Sequence, residues 1–361
     1  MATNVSRPTP TLLDEPGDLL GTHRVLSPAR AMPQPAERVD NDTTRVFGSE
    51  LLVEVLTLNI DAASFRQMEE SDGGEGSPEQ RVASTVLATI AARGKQHNPV
   101  TGSGGMLLGV VRTVGKSAGH RGVAVGDRIA TLASLSLTPL RVDEIVAVRR
   151  ESAQMDVRGE AILFGSAPFA KLPADFDERV AVALFDVAGA APQVARLVRN
   201  RDRVVVLGGG GKSGLLCVAE ARRRVGAEGR VVAVENHEPY AEALRELGLC
   251  DAVVSADATD PVAVRGAVLP HLADSEADAV FSCVNVPGAE LSAIVLTRPR
   301  GLVYFFAMTT SFPRAALGAE GIGKDIDLFI GNGFAEGHAE HTLELVRSQP
   351  ALRALLEARY G

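Results

Sequence analysis

Val204-Val205-Val206-Leu207 runs without a break into Gly208-Gly209-Gly210-Gly211-Lys212-Ser213-Gly214, then into a helix-like stretch ending near Gly226. This run constrains the fold more than any other. Gly209, Gly211 and Gly214 complete G-x-G-x-x-G in strand, turn, helix order, where glycine allows a tight turn, close approach of backbone to a pyrophosphate, and close packing of helix on strand. The N–H groups of the turn and helix start then face anionic phosphates. A Walker-type phosphate loop is the rival reading of Gly211-Lys212-Ser213, but its first glycine would have to stand at Val206, in mid-strand. Lys212 and Ser213 are therefore candidates to face the pyrophosphate of a dinucleotide. Strand two ends at Glu235, 26 residues beyond Gly209. A carboxylate there suits a ribose 2′-hydroxyl and repels a 2′-phosphate, which favours NAD and leaves NADP second, with Arg222 to Arg224 as nearby cations.

The surroundings agree. Beyond Val180, helical segments alternate with compact apolar strands at Arg203–Leu207, Arg230–Val234, Ala252–Val254, Ala277–Phe281 and Gly301–Phe306. Alternation of this kind indicates an α/β doubly wound parallel sheet, of the Rossmann type. Earlier, from Ser49 to about Lys171, short β-like runs broken by Gly and Pro predict a mainly β domain. One helix interrupts it. Ser77-Pro78-Glu79-Gln80 carries a cap, a proline at the first helical position and a Gln three residues after the cap, and the stripe Val82, Val86, Ile90 follows. After Phe306 the chain turns Gly-rich and ends in a helical pattern with Leu343, Val346, Leu352, Leu355 and Leu356 as its apolar positions.

Bulk properties exclude several classes. At 361 residues, 45% apolar, the chain has length for two domains with real cores. A net charge of -8 repels phosphate backbones and argues against nucleic acid as a partner. Cys217, Cys250 and Cys283 are dispersed, fit neither a zinc knuckle nor a disulfide framework, and suggest a cytoplasmic protein with reduced thiols. No run approaches the about 18 apolar residues of a membrane span, and the first 20 residues do not have the form of a signal peptide; they are expected to be a flexible arm.

The β-rich half, the dinucleotide unit and the helical tail together resemble the medium-chain dehydrogenase/reductase superfamily. Gly109-Val110-Val111-Arg112-Thr113-Val114-Gly115 and Gly126-Asp127-Arg128-Ile129 look like the G-x-V-x-x-V-G and G-D-R-V elements of its GroES-like β-barrel. That likeness implies a GroES-like catalytic domain over 21–170 and 320–361, a Rossmann domain over 171–319 and a homodimer joined through the last Rossmann strands. Within it, Gly21-Thr22-His23-Arg24-Val25, the stretch Asn98 to Met106, the stretch Ala133 to Leu140 and the stretch Ala316 to Gly321 resemble the L-erythro-3,5-diaminohexanoate dehydrogenase family. The resemblance implies NAD-linked oxidative deamination of a small cationic diamino acid in lysine fermentation. It extends from Gly21 to Gly361.

Where zinc-dependent relatives place metal ligands, this chain has Asn59, Gly105-Met106 and Asp186, a set unable to form a tetrahedral zinc site, so no metal is expected. Asp186 falls at one ligand position and Asp61 where the proton relay of the alcohol dehydrogenases begins. We read one carboxylate as holding the reacting ammonium and moving protons, the other as binding the distal ammonium. The competing reading makes Asp61 a turn cap and Asp186 a helix-end residue. Lys95 and His97, between the capped helix and the glycine-rich stretch, are candidates for the substrate carboxylate or the relay. Asn59, Thr101, Ser103, Ser134 and Ser136 are candidate hydrogen-bonding groups to the substrate, and Asn285, after the fourth Rossmann strand, is a candidate contact to the nicotinamide ribose. A zinc-independent quinone or enoyl reductase is the second enzymatic reading, and a non-catalytic dinucleotide-binding protein is the third.

Overall fold

The computed structural model describes residues 9–70, 76–132, 134–307 and 309–361. Two compact units emerge, one running to Asp186 and the other covering Val187–Arg359.

In the first unit β1 (Thr11–Leu12), β2 (Val25–Ser27), β3 (Arg38–Val39) and β4 (Arg45–Val46) are short: β1 pairs parallel with β4, and β2 antiparallel with β3. The main sheet is formed by β5 (Leu51–Asn59), β6 (Met106–Val114), β7 (Arg128–Thr131), β8 (Leu140–Arg149), β9 (Gln154–Leu163) and β10 (Phe169–Lys171), every pair antiparallel, in the order β10-β7-β6-β5-β9-β8. This is the expected β domain. Its core includes Leu51, Val53, Leu107, Val111, Leu140 and Ile162, with Val82, Val86 and Ile90 of α2 (Pro78–Arg93) packed in the same cluster. The cap of α2 is the one its sequence announces: Ser77 Oγ accepts from Gln80 N, and Gln80 Oε1 accepts from Ser77 N. The helix stops at Gly94 in the left-handed region, φ 70°, where a Cβ would lie 2.1 Å from the Val39 carbonyl oxygen. Two further helices complete the unit, α1 (Ala62–Glu69) and α3 (Glu178–Phe185).

Of the expected flexible arm, residues 1–8 lie outside the described residues. The rest is held to the unit, because β1 pairs with Arg45–Val46, Gly48 N donates to the Glu15 carbonyl and Ser166 N to that of Leu19. Beneath this segment Arg24, 1% exposed, gives Nε to Glu50 Oε1 at 2.6 Å and one terminal nitrogen to Glu50 Oε2 at 2.8 Å, and its other hydrogens go to the Asp42 and Arg45 carbonyls.

The second unit is a six-stranded parallel sheet in the order β13-β12-β11-β14-β15-β16, formed by β11 (Arg203–Leu207), β12 (Arg230–Val234), β13 (Ala252–Val254), β14 (Ala277–Ser282), β15 (Thr297–Phe305) and β16 (Asp327–Ile330). In sequence order this is 3-2-1-4-5-6, the doubly wound arrangement, whose reversal between first and fourth strands leaves a ligand crevice at their carboxyl ends. Its helices are α4 (Ala190–Leu197), α5 (Lys212–Val225), α6 (Glu238–Leu247), α7 (Pro261–Val268), α8 (Glu290–Leu296), α9 (Phe312–Gly321), α10 (His338–Arg347) and α11 (Pro350–Tyr360).

Two expectations need correction. A sixth strand, β16, was not foreseen. The boundary also moves: the tail assigned to the barrel packs instead in the second unit, where α10 lies on α4 and α5 and Thr342 Oγ1 donates to the Ala188 carbonyl at 2.9 Å. The apolar stripe was real, Leu343, Val346, Leu352 and Leu356 all being buried, but a stripe does not say which surface it covers.

Candidate active site

The first unit's candidate residues cluster where β5 ends. Asn59 is the last residue of the strand and Asp61 caps α1, its Oδ1 accepting from Ser64 N at 2.8 Å. The capping reading of Asp61 is thus met, and it leaves the other oxygen over: Oδ2 is buried and has no partner among the described residues. Ser64 Oγ in turn bonds Thr101 Oγ1, which also accepts from Ser103 N at 3.3 Å. Asn98 shapes this loop by taking the Val100 amide on its Oδ1 and giving Nδ2 to Gln67 Oε1. Glycine is required next. A Cβ on Gly105 would stand 2.1 Å from the Asn59 carbonyl oxygen, and one on Gly104 2.3 Å from Ser136 N and 2.4 Å from the Gln96 carbonyl oxygen. The Gly104-Gly105 backbone therefore fits between the segments carrying Asn59, Gln96 and Ser136. Ser136 Oγ donates to Ser134 Oγ at 2.9 Å, so these two hydroxyls serve each other.

Asn59 is 1% exposed and faces Gln154, 0% exposed, across the β5–β9 pairing. Gln154 Nε2 donates to Asn59 Oδ1 at 3.2 Å, which leaves Asn59 Nδ2 and Gln154 Oε1 buried and without partners among the described residues. Gln96, also buried, has neither end of its side-chain amide paired there. Buried polar groups are nearly always satisfied by protein, water or ligand, so this concentration points to a bound polar molecule. Sequence reasoning passed over both glutamines. Gln154 also lines a cavity of about 400 Å³, whose other walls include Thr57 and Asp156 on the sheet and Asp177, Arg179 and Val182 at the start of α3. Asp186 stands at the far end of the same helix as its C-cap. A carboxylate at the negative end of a helix dipole is electrostatically unfavourable, which is reason to look there for function.

Lys95 does not serve as expected. It is fully buried and its Nζ donates to the Pro33 and Gln34 carbonyls at 2.6 and 2.7 Å, fastening that loop rather than facing a ligand. Burial, with Arg93 adding repulsion, pushes its pKa down to about 8. His97 Nδ1 lies 3.4 Å from an Arg93 guanidinium nitrogen, and burial, then Lys95 and Arg93, lower its pKa, which disfavours the charged form a carboxylate would need. Among the described residues, no three His, Cys, Asp or Glu side chains are grouped as metal ligands.

In the second unit the glycine-rich turn has the shape a dinucleotide needs. Gly208 takes φ 72°, a Cβ on Gly209 would lie 2.8 Å from Ala233 Cβ, and one on Gly214 would lie 2.1 Å from the Gly208 carbonyl oxygen. At Gly211 only that oxygen comes within 4 Å, at 3.9 Å, so the space before the start of α5 is open. Lys212 and Ser213 begin α5, and Asn285 is exposed after β14. Glu235 accepts Gly210 N at 3.0 Å on Oε2 and His237 N at 3.1 Å on Oε1. The three arginines near the end of α5 are committed elsewhere, Arg222 to Asp251, and Arg223 and Arg224 to Glu220. A cation the sequence reading missed is Arg359 on α11, which donates to the Gly210 carbonyl at 2.8 Å and lies 4.4 Å over the Tyr240 ring.

A β domain followed by a 3-2-1-4-5-6 parallel sheet with a glycine cradle is the architecture of the medium-chain dehydrogenase/reductases. Solved structures share it: a mycobacterial protein complexed with NADPH has a TM-score of 0.55 at 17% identity, covering 91% of this chain and 92% of that one. The CurK enoyl reductase gives 0.52 at 15%, covering 86% and 78%. The chain shares the fold of these oxidoreductases.

Residues 23–173 match the L-erythro-3,5-diaminohexanoate dehydrogenase N-terminal domain. L-erythro-3,5-diaminohexanoate dehydrogenases of Acetoanaerobium sticklandii and Fusobacterium nucleatum are each 46% identical to this chain over 341 residues, 94% of the chain and 98% of theirs. The chain belongs to the L-erythro-3,5-diaminohexanoate dehydrogenase family.

Proposed function

We propose that the protein catalyses NAD-dependent oxidative deamination of L-erythro-3,5-diaminohexanoate to 5-amino-3-oxohexanoate and ammonia, acting on a CH–NH₂ donor in lysine degradation in the cytoplasm. Beyond the family relationship, one observation carries the reading: Asp61 holds one oxygen fixed by the Ser64 amide and keeps the other buried without a partner. A buried carboxylate oxygen with spare lone pairs suits an ammonium, and a substrate with two ammonium groups would use two carboxylates. We take Asp186, the C-cap of α3, as the second.

A bound nicotinamide would supply the acceptor for the hydride on the carbon bearing the reacting nitrogen. The chain's own residues handle the protons. An ammonium must lose one before its carbon can be oxidised, and the water that later displaces ammonia must lose another, so a carboxylate in contact with these atoms serves as acid and base. Gly209, Gly211, Lys212, Ser213 and Gly214 would hold the pyrophosphate, Glu235 the adenosine ribose and Asn285 the nicotinamide ribose. Glu235 and the commitment of Arg222, Arg223 and Arg224 to acidic partners support NAD over NADP. The sheet ends at β16, where Ile330 is exposed, and we propose this edge as the seam of a homodimer.

Incubation of the purified protein with NAD⁺ and L-erythro-3,5-diaminohexanoate should yield NADH and ammonia in equal amounts. Turnover of a quinone or enone in place of the diamino acid would overturn the assignment.

A further inference from the structure

We infer that Asn59 and Gln154 form a neutral two-point reader for the β-amino acid end of the substrate, its carboxylate and 3-ammonium, which makes Gln154 a specificity-determining residue. The inference rests on the function proposed above. Two primary amides meet here with a single hydrogen bond between them, from Gln154 Nε2 to Asn59 Oδ1. What remains is one amide N–H₂ on Asn59 and one amide oxygen on Gln154, both buried and unpaired among the described residues. Exchanging oxygen and nitrogen in both amides leaves the same inventory with the roles swapped, one donor and one acceptor. The complement of that inventory is a group pair offering one acceptor and one donor a few ångströms apart.

A carboxylate and an ammonium on the next-but-one carbon are such a pair. The distal ammonium, which can only donate, is not; its complement is a carboxylate such as Asp61 or Asp186. A cation would be the obvious alternative for the substrate carboxylate, but Lys95 Nζ is committed to Pro33 and Gln34, and of the two arginines in the cavity wall Arg149 is paired with Asp156 and Arg179 is exposed, which leaves the two amides as the buried polar groups. Space is present as well: Gln154 lines the cavity of about 400 Å³, within the usual range for small-molecule sites. Recognition by neutral amides avoids placing a buried positive charge next to a substrate that brings two of its own.

The test uses the full-length enzyme with saturating NAD⁺. Gln154→Met keeps the volume and removes the amide. It should raise KM for L-erythro-3,5-diaminohexanoate and weaken 3-aminohexanoate, which has only the β-amino acid end, by the same factor of about ten to a hundred. The variant should weaken 2,4-diaminopentane, which keeps both ammonium groups but lacks the carboxylate, less than 3-aminohexanoate, which also loses the Asn59 contact that Gln154 orients, and it should leave NADH binding unaltered. Gln154→Glu retains size and acceptor but adds a negative charge; it should weaken 3-aminohexanoate and tighten the diamine, and it serves if the Met variant does not fold. An unchanged KM, or equal losses for 3-aminohexanoate and the diamine, overturns the inference. Calorimetric titration separates it from the assigned function. Gln154-dependent binding of 3-aminohexanoate by a protein that releases no NADH and ammonia sinks the function alone. Turnover with a KM indifferent to Gln154 sinks the reader alone, and neither binding nor turnover sinks both.

Discussion

The Glu235 carboxylate accepts the Gly210 amide at 3.0 Å, which ties the end of the second Rossmann strand to the glycine-rich turn. The anion that would meet an adenosine ribose is thereby fixed on the turn that would hold the pyrophosphate. A 2′-phosphate would have to approach this carboxylate without help from Arg222, Arg223 or Arg224, all bound to acidic partners. We expect kcat/KM with NAD⁺ to exceed that with NADP⁺ by about a hundredfold. Glu235→Gln, whose amide oxygen still accepts from Gly210, should narrow the ratio at least about tenfold, which is ~1.4 kcal/mol. Equal use of both cofactors by the native protein would remove Glu235 from this role.

Asp61 has two jobs that one substitution can separate. Asn is as good an N-cap as Asp, so Asp61→Asn keeps the bond to Ser64 N and the stability of α1. The same change deletes the anionic oxygen meant for an ammonium. We expect kcat/KM for the diamino acid to fall by at least about a hundredfold, with thermal stability within about 3 °C of the native value. Asp186→Asn, at the C-cap of α3, should behave alike, because removing a negative charge from a helix C-terminus costs the fold nothing in dipole energy. Near-normal turnover in either variant would strike that residue from the mechanism.

The contrast between Asp61 and Lys95 shows what a sequence carries. The capping box at Ser77, the glycine cradle at 208–214 and the Asp61 cap are local, each settled by side chains within a few residues. Lys95 was misread because its partners, the Pro33 and Gln34 carbonyls, lie 62 and 61 residues earlier and present only backbone. Gln154 went unnoticed because its unpaired oxygen arises from a register with Asn59, 95 residues away. The strand β16 is four residues long and mostly exposed, so neither length nor alternation marks it.

Lys95 also has a signature in the pH dependence of stability. Its folded pKa of about 8, set by burial and then by Arg93, lies below the ordinary 10.5. Between those values the folded state binds fewer protons than the unfolded state, so this residue's contribution to stability grows as pH rises from about 8 to 10.5 and is constant below that window. The difference in unfolding free energy between the native protein and Lys95→Met should therefore shift toward the native protein by roughly 3 kcal/mol over that range. Denaturant titrations at a series of pH values measure it; a flat difference would mean that the ammonium stays charged throughout.

Arg359 and Glu235 hold Gly210 from both sides, one at its carbonyl oxygen and the other at its amide nitrogen. Two successive peptide planes of the turn are thus oriented before any ligand arrives, and orientation made in advance need not be paid for in affinity. The guanidinium has a second anchor in the Tyr240 ring, 4.4 Å away. A stacked cation contributes about 0.5–1 kcal/mol, and a partly solvated hydrogen bond from the guanidinium about as much again. If half of that total acts through the turn, Arg359→Ala should weaken NADH and ADP-ribose equally, by about two- to fivefold, with kcat unaltered at saturation. Arg359→Lys, which donates to the carbonyl but lacks the planar face, should fall between. Fluorescence titration with NADH, competed with ADP-ribose, reads both affinities. If neither moves in Arg359→Ala, the end of α11 only packs against the turn and does not prepare it.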